Sequence, residues 1–472
     1  MKICIIAEGS YPYVTGGVSS WIQMLIEGMP EHEFIIYSIG AEEKEKGNFR
    51  YTLPQNVVEI QEIFLDSILN MKNPQTVNFS LLPRQKEVLS ALVSGEGEIK
   101  MDELLEIFRS SKKDNALAIF MSFNFFDVIT HVYRKKFSHL PFTDFFWTVR
   151  SMLLPLFFLI QQDFPKADVY HSVATGYAGA VGSLAAKVHG KPFIVTEHGI
   201  YSREREEEII QSSWVEPYFK ELWINYFYSL ARLTYEEAGK VFSLFEKNAE
   251  IQISLGCDAE KIQIITNGID VNEYQGSPLT AAKDGSIVVG AVVRVVPIKD
   301  IITMLRSFSL VKQAIPGARF IILGPADENK EYYEECLKTM EGLGLEENVT
   351  FAGTVNVADY LGDLDIMVLS SISEGQPLAV LEGMANRKPF VTTDVGSCRE
   401  LLYGNHDSLG QAGIVVPLMD FEKMAKAIIT LARDKELRRL MGERAYQRVA
   451  KYYTKAGMID DYRKIYAGLE GS

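Results

Sequence analysis

Residues 373–385, Ser373-Glu374-Gly375-Gln376-Pro377-Leu378-Ala379-Val380-Leu381-Glu382-Gly383-Met384-Ala385, carry the pattern from which the rest of the chain is read. A short apolar run, Asp365-Ile366-Met367-Val368-Leu369-Ser370, precedes them and reads as a buried strand. Pro377 suits the first helical turn, where a missing N–H costs nothing and φ is already right. The Leu378 and Ala379 amides then point out of a helix N-terminus. With the positive end of the helix dipole they make an anion site, most naturally for phosphate. Glu374 lies in the loop before that site, and Glu382 lies about 7.5 Å beyond Pro377 along the axis. Two carboxylates beside a phosphate site make sense if each faces a hydroxyl, as the sugar and ribose of a nucleotide sugar would supply. Acidic residues early in a helix are also ordinary, because they favour the dipole. The rest of the chain has to decide.

At 472 residues the chain exceeds one core, so two domains, or three, are expected. Its composition, 47% apolar and 23% charged, is that of a globular protein with sizeable cores. A net charge of −14 argues against nucleic-acid partners and a broad anionic-membrane surface, though not against a local basic pocket. Cys4, Cys257, Cys336 and Cys398 form no CxxC or Cys/His pair, which reads as reduced, non-metal cysteine in the cytoplasm. The apolar run Lys2–Ala7 reads as a first strand rather than a signal peptide. Phe145–Ile160, FFWTVRSMLLPLFFLI, is short for a membrane span and is broken by Arg150 and Pro155. It reads as a buried helix, with a docking face for a membrane partner as the alternative.

The first strand leads through a loop with Gly16-Gly17 into a helix from Val18, and strand Phe34–Ser38 completes a βαβ step. A double glycine there lets backbone amides approach a ligand. The spacing is not GxGxxG, so a dinucleotide fingerprint is absent. Residues 41–160 read as a largely helical insertion, with helices at Gln61–Asn70, Arg84–Leu92, Met101–Arg109 and Ala116–Tyr133. Strands at Ala167–Ser172 and Phe193–Thr196 follow, the second ending in Glu197-His198-Gly199. Loops at the carboxyl ends of parallel strands line the ligand crevice in such sheets. That placement makes His198 a candidate polar group, although a lone loop histidine is more often structural; His171, inside its strand, reads as structural. The linker 276–285 separates a second α/β series, whose first strand ends in Arg294-Val-Val-Pro-Ile-Lys299. Two consecutive series predict an α/β architecture of two Rossmann-like domains facing across a cleft. The expected domains are 1–278, with the helical insertion, and 279–454, with a C-terminal helix of about 455–472 packing back on the first.

Arg294 and Lys299 offer a planar fork and a point charge for a diphosphate. The set Glu374-x7-Glu382, Arg294/Lys299, Gly16-Gly17 and Asn267-Gly268-Ile-Asp270 resembles the retaining, GT-B-fold glycosyltransferases of family GT4. The resemblance covers nearly all of the chain apart from 41–160. It implies that Arg294 and Lys299 hold the diphosphate, with the Leu378 and Ala379 amides and the Gly16-Gly17 loop assisting. It also implies that Glu382 takes the ribose hydroxyls, that Glu374, Gly375 and Gln376 bind the donor sugar, that His198 lies near the transferred group, and that Thr354 lies near the base. Where the family often has a second glycine after Gly396, this chain has Ser397. EGSYPYVTGGVSSW (8–21) and TEHGIYSREREEE (196–208) resemble the branch that assembles the Pel exopolysaccharide. That narrower resemblance implies UDP-glucose as donor, with an N-acetylhexosamine as the rival, a saccharide acceptor, and synthase partners at the inner face of the cell membrane. Asp363-Leu-Asp365 spells the DxD of metal-dependent sugar transferases, but it lies at the starting end of its strand, away from the expected site. No metal is therefore expected. An epimerase or phosphorylase on the same fold, or a non-catalytic nucleotide-sugar-binding subunit, are the competing readings.

Overall fold

The computed structural model describes residues 1–71, 80–111, 116–274, 286–405 and 407–470. The chain forms two compact units, one of Met1–Ser243, Asn248–Ile264 and Tyr462–Ser472, the other of Leu244–Lys247 and Ile265–Asp461. The second unit thus begins at Ile265 rather than 279, and most of the expected linker 276–285 lies outside the described residues.

In the first unit the strands are β1 (Lys2–Glu8), β2 (Glu33–Gly40), β3 (Val57–Phe64), β4 (Val169–Ser172), β5 (Phe193–Glu197), β6 (Lys240–Ser243) and β7 (Ile262–Ile264). They form one parallel seven-stranded sheet in the order β3-β2-β1-β4-β5-β6-β7. Strand β3 corrects the expectation of a helix at Gln61–Asn70: Val57–Phe64 pairs with β2, and only Leu65–Asn70 turns helically, as 3₁₀. An edge strand is half exposed, so its polar Glu59, Gln61 and Glu62 mimic a solvated helix face. The helical insertion therefore follows Phe64 rather than residue 41. The expected single helix at 116–133 is two helices, Ala116–Phe120 and Phe123–Val132. Ser122 restarts the chain as an N-cap, its Oγ accepting from Phe125 N at 3.1 Å.

The insertion is not a separate lobe. Leu89, Leu92, Phe125 and Phe157 share one apolar core with Ile6, Tyr37, Leu184 and Val195 of the sheet and its flanking helix. Burying each large side chain contributes roughly 1.5–3 kcal/mol, so the insertion adds materially to the stability of this unit. Phe142–Ile160 is the one helix among the described residues long and apolar enough to cross a membrane, yet half of its apolar stretch is buried in the protein. Phe145, Val149, Leu153, Leu156 and Phe157 point inward, while Trp147 stays exposed.

The second unit contains β8 (Val288–Val292), β9 (Arg319–Leu323), β10 (Val349–Gly353), β11 (Ile366–Leu369), β12 (Phe390–Thr393) and β13 (Gly413–Val416), all parallel, in the order β10-β9-β8-β11-β12-β13. The chain winds outward from β8 to β10 and then returns to place β11 on the other side of β8. Arg448 is fully buried here, its Nε donating to Asp407 Oδ2 at 2.7 Å and its Nη2 to Oδ1 at 2.9 Å. It also donates to the carbonyls of Leu401, Leu402 and Gly410. The Arg448 hydrogen bonds hold the Asp407 carboxyl below the usual carboxylate range. That contribution is present above the unfolded pKa of about 3.9 and is lost as pH falls through the lower folded value. Arg448→Met, which strands a buried carboxylate, is expected to lower stability by about 3–5 kcal/mol at neutral pH in urea unfolding, with the difference shrinking below about pH 4.

Candidate functional site

In an open parallel sheet the crevice forms where the strand order reverses, because the loops leaving two adjacent strands turn to opposite faces. In the second unit that point lies between β8 and β11, which pair through Ile366↔Val289 and Met367↔Gly290. The loops after these strands carry Arg294–Asp300 and Ser370–Pro377, far apart in sequence. Ile372 N donates to Ile298 O at 2.9 Å, and Ser370 Oγ donates to the carbonyls of Lys299 and Asp300 at 2.9 and 2.8 Å. Those bonds bring Lys299 Nζ within 2.5 Å of Glu374 Oε1, and Ser371 Oγ donates to the same oxygen at 2.5 Å. The two charged side chains are only 17% and 10% exposed. In such a half-dry site Coulomb attraction and desolvation nearly offset each other, so the pair adds little to the stability of the fold.

The helix Leu378–Ala385 starts directly after, with Pro377 as its N-cap rather than inside the first turn. The Leu378 and Ala379 amides have no acceptor within the helix, as expected at a helix start. Gly383 lets this helix lie against the sheet, since a Cβ there would strike Met367 and the Phe390 ring. Gly396, at φ +50°, is required twice over: an L residue is strained there, and a Cβ would strike the Glu374 and Gly375 carbonyls. The loop after β12 thereby props the Glu374 loop from below, with Ser397 N donating to Gly375 O at 3.0 Å. Gln376 Oε1 accepts from Asn267 N at 2.6 Å, whereas its Nε2 is buried without a protein partner. Burial raises the Glu382 carboxyl above the usual range, against a hydrogen bond from Tyr274 that lowers it.

Other expected residues stand apart. Arg294 is 55% exposed and donates to Glu328 Oε2 at 2.7 Å, at the rim of the loop. Thr354 is exposed beyond the end of β10. Asp365 Oδ2 accepts from Val288 N at 2.9 Å at the opposite end of the sheet. Beside it the buried Lys388 ammonium donates to the carbonyls of Gly362 and Leu364, and burial pushes its pKa down to about 8. The DxD pair is therefore part of a strand-start clamp remote from Glu374. Ser371 and Tyr274 were missed by sequence reasoning, which named Asn267 without its bond to Gln376. Only Ser371 had a signal, its Ser-x-x-Glu spacing to Glu374.

In the first unit Gly16 caps the helix Gly17–Glu27, and both glycines are exposed with open space where a Cβ would stand. His198 follows β5 and packs edge-to-face on Trp21, ring centres 4.7 Å apart. Burial pushes its pKa down to about 3, and its Nε2 is buried with no protein partner. It is a neutral hydrogen-bonding group at physiological pH, not a cation. His171, held down to about 3 by burial and then by His198, is saturated by Tyr466 OH at 2.7 Å and Thr196 Oγ1 at 2.8 Å and is structural. Glu197 is likewise enclosed, accepting from Thr175, Tyr201 N, Tyr235 and Gln252.

A helix start, a lysine and two carboxylates lie at the switch point of the second sheet, the fold is that of the GT-B glycosyltransferases, and the protein is a glycosyltransferase. Residues 1–260 match the family described as a domain of unknown function (DUF3492), and residues 286–434 match the glycosyl transferases group 1. The first match spans more than half of the 472 residues, and the chain belongs to that family. A UDP-Gal:alpha-D-GlcNAc-diphosphoundecaprenol alpha-1,3-galactosyltransferase of Escherichia coli is 23% identical over 67% of this chain and 79% of its own length. The N-acetyl-alpha-D-glucosaminyl L-malate synthase of Bacillus anthracis is 29% identical over 36% of this chain, a match spanning only 42% of that enzyme. Among solved structures, Anabaena HepE in complex with UDP and glucose superposes with a TM-score of 0.61 at 16% identity, over 99% of this chain and 100% of that one. Sucrose-phosphate synthase of Thermosynechococcus elongatus gives 0.64 at 14% identity, over 99% and 98%.

Two expectations follow from the burial of these groups. For the two histidines the folded pKa is depressed, so the unfolded chain takes up protons first and stability falls as pH drops from about 6.5. Imidazole NMR signals of His171 and His198 should still be those of the neutral ring at pH 5. For Glu382 the folded pKa is raised, so its stability contribution is present below the unfolded value of about 4.3 and lost as pH rises through the folded one. Glu382→Gln should raise the thermal unfolding midpoint at pH 7.5, with the gain vanishing below about pH 4.

Proposed function

We propose that the protein transfers a hexose from a UDP-sugar to a growing exopolysaccharide with retention of anomeric configuration. UDP-glucose is the proposed donor, and PelF of Pel exopolysaccharide synthesis, which residues 8–21 and 196–208 resemble, is the proposed counterpart. The observation that carries this reading is the meeting of Lys299, Glu374 and Ser371 beside the first-turn amides of Leu378 and Ala379. The UDP and glucose held by HepE and the UDP-Gal named for the E. coli relative favour a UDP-sugar donor.

As the anomeric bond breaks, negative charge grows on the departing diphosphate and the sugar becomes oxocarbenium-like. Lys299 meets that charge by leaving Glu374 and Arg294 by leaving Glu328, and with the helix amides they stabilise it without a proton donor or a metal. Glu374, released from Lys299, accepts hydroxyl hydrogens of the donor sugar with the Gly375-Gln376 backbone, and Glu382 takes the ribose. The Gly16-Gly17 loop assists at the phosphates, and Thr354 lies toward the base. His198, neutral, hydrogen-bonds near the transferred group, while the departing phosphate deprotonates the acceptor on the same face. Glu374 is a binding group in this scheme, not the nucleophile. Synthase subunits at the inner face of the membrane are the proposed partners, with exposed Phe123 and Trp147 of the insertion offering them a surface.

UDP release from a panel of UDP-sugars, with and without a saccharide acceptor, tests the activity; binding without acceptor-dependent release would mark a non-catalytic subunit. Lys299→Ala and Arg294→Ala should each weaken UDP binding by about tenfold or more, as loss of a charge-assisted hydrogen bond does. His198→Ala should leave that affinity within about threefold and slow transfer instead. The opposite order in a calorimetric UDP titration would remove the diphosphate assignment.

A further inference from the structure

We propose that Trp21 is a positioning residue that fixes the His198 ring, and that Tyr462 of the C-terminal helix holds Trp21 in place. The proposal rests on the role given to His198 above. Nothing in the sequence near either residue announces the link, since residues 21, 198 and 462 come from three separate elements of the first unit.

Trp21 is 1% exposed and stands at the centre of a ring cluster. It meets His198 at 4.7 Å and 71°, Tyr462 at 5.3 Å and 73°, and His171 at 5.8 Å and 86°, all edge-to-face. Such pairs prefer this geometry and resist rotation of either ring. Tyr462 is itself anchored: its hydroxyl lies 2.8 Å from Thr196 Oγ1, which lies 2.8 Å from His171 Nε2, whose Nδ1 lies 2.7 Å from Tyr466 OH. Thr196 lies on β5, two residues before His198 in the loop that follows it. The C-terminal helix thus touches both the backbone element that carries His198 and the indole that faces its ring. His198 Nε2 and Trp21 Nε1 are both buried without protein partners. With no protein hydrogen bond at Nε2 to orient the imidazole from that side, packing against the indole decides which way that nitrogen points. A ring free to turn would present its nitrogens in either order, and a misplacement of about 1 Å can cost a hundredfold in rate.

The experiment uses the full chain and the variants Trp21→Leu, Trp21→Phe and Tyr462→Phe, with His198→Asn to assign the His198 imidazole signals. Three quantities are read: UDP affinity by calorimetry, donor KM and kcat for transfer, and the ¹H–¹³C signals of the His198 ring. Trp21→Leu should keep UDP affinity within about twofold, lower kcat by about 10- to 100-fold with a smaller change in donor KM, and broaden or double the His198 signals. Trp21→Phe, the least disturbing to the core, and Tyr462→Phe, which removes only the hydroxyl on Thr196, should show the same broadening to a lesser degree. His198 signals that stay single and sharp in both Trp21 variants overturn the proposal whatever the rate does. If Trp21→Leu does not fold, sharp signals in Trp21→Phe and Tyr462→Phe overturn it equally. Broadened signals with an unchanged kcat support the positioning and overturn instead the role given to His198.

Discussion

The strand order of the C-terminal sheet is the constraint on which its site depends. Because β11 returns to the free side of β8, the loops leaving these two strands lie side by side although about 75 residues separate Lys299 from Glu374. Ser370 and Ile372 hydrogen-bond across the gap, and Gly396 props the acidic loop from the next strand. The loop before the Leu378–Ala385 helix thereby carries a carboxylate in contact with a lysine, so neither of these largely buried charges is left unpaired. This arrangement also separates roles that proximity alone would blur, because Glu382, one helix face away, is matched with Tyr274 rather than with any cation.

The N-terminal unit works by a different physics. Its polar groups at the carboxyl ends of the strands are mostly enclosed: Glu8 is bound by Tyr201 and Ala178 N, and Glu197 by four donors. His198 differs in keeping a buried nitrogen unmatched, and burial keeps it neutral.

The helical insertion shares its core with the sheet it covers, so it is as much a part of the first unit as the strands. Among the described residues, five of the six most exposed aromatic side chains, Phe123, Phe126, Trp147, Trp214 and Tyr218, belong to this unit. Its long apolar helix, which by length and composition resembles a membrane span, is half buried by packing against neighbouring helices.

Much of the architecture was legible from local pattern. Alternating apolar runs and glycine-marked helix starts identified most strands, and the Glu374–Glu382 element was readable as strand, loop and helix, because that pattern is written in adjacent residues. What failed was what depends on neighbours. Strand β3 looked helical because an edge strand shows one polar flank to solvent. Ser122 broke a helix that composition alone would have continued. Likewise, the sequence could name Lys299 and Glu374 but not their contact, Asn267 but not its bond to Gln376, and His198 without Trp21. By itself, then, the sequence determined the two α/β series and the strand–loop–helix element around Glu374, since those follow from periodicity and short-range turns. Only the tertiary structure decided which loops meet, which carboxylate is paired and which of His171 and His198 keeps an unmatched nitrogen, because strand order and burial are set by contacts between residues that lie far apart along the chain.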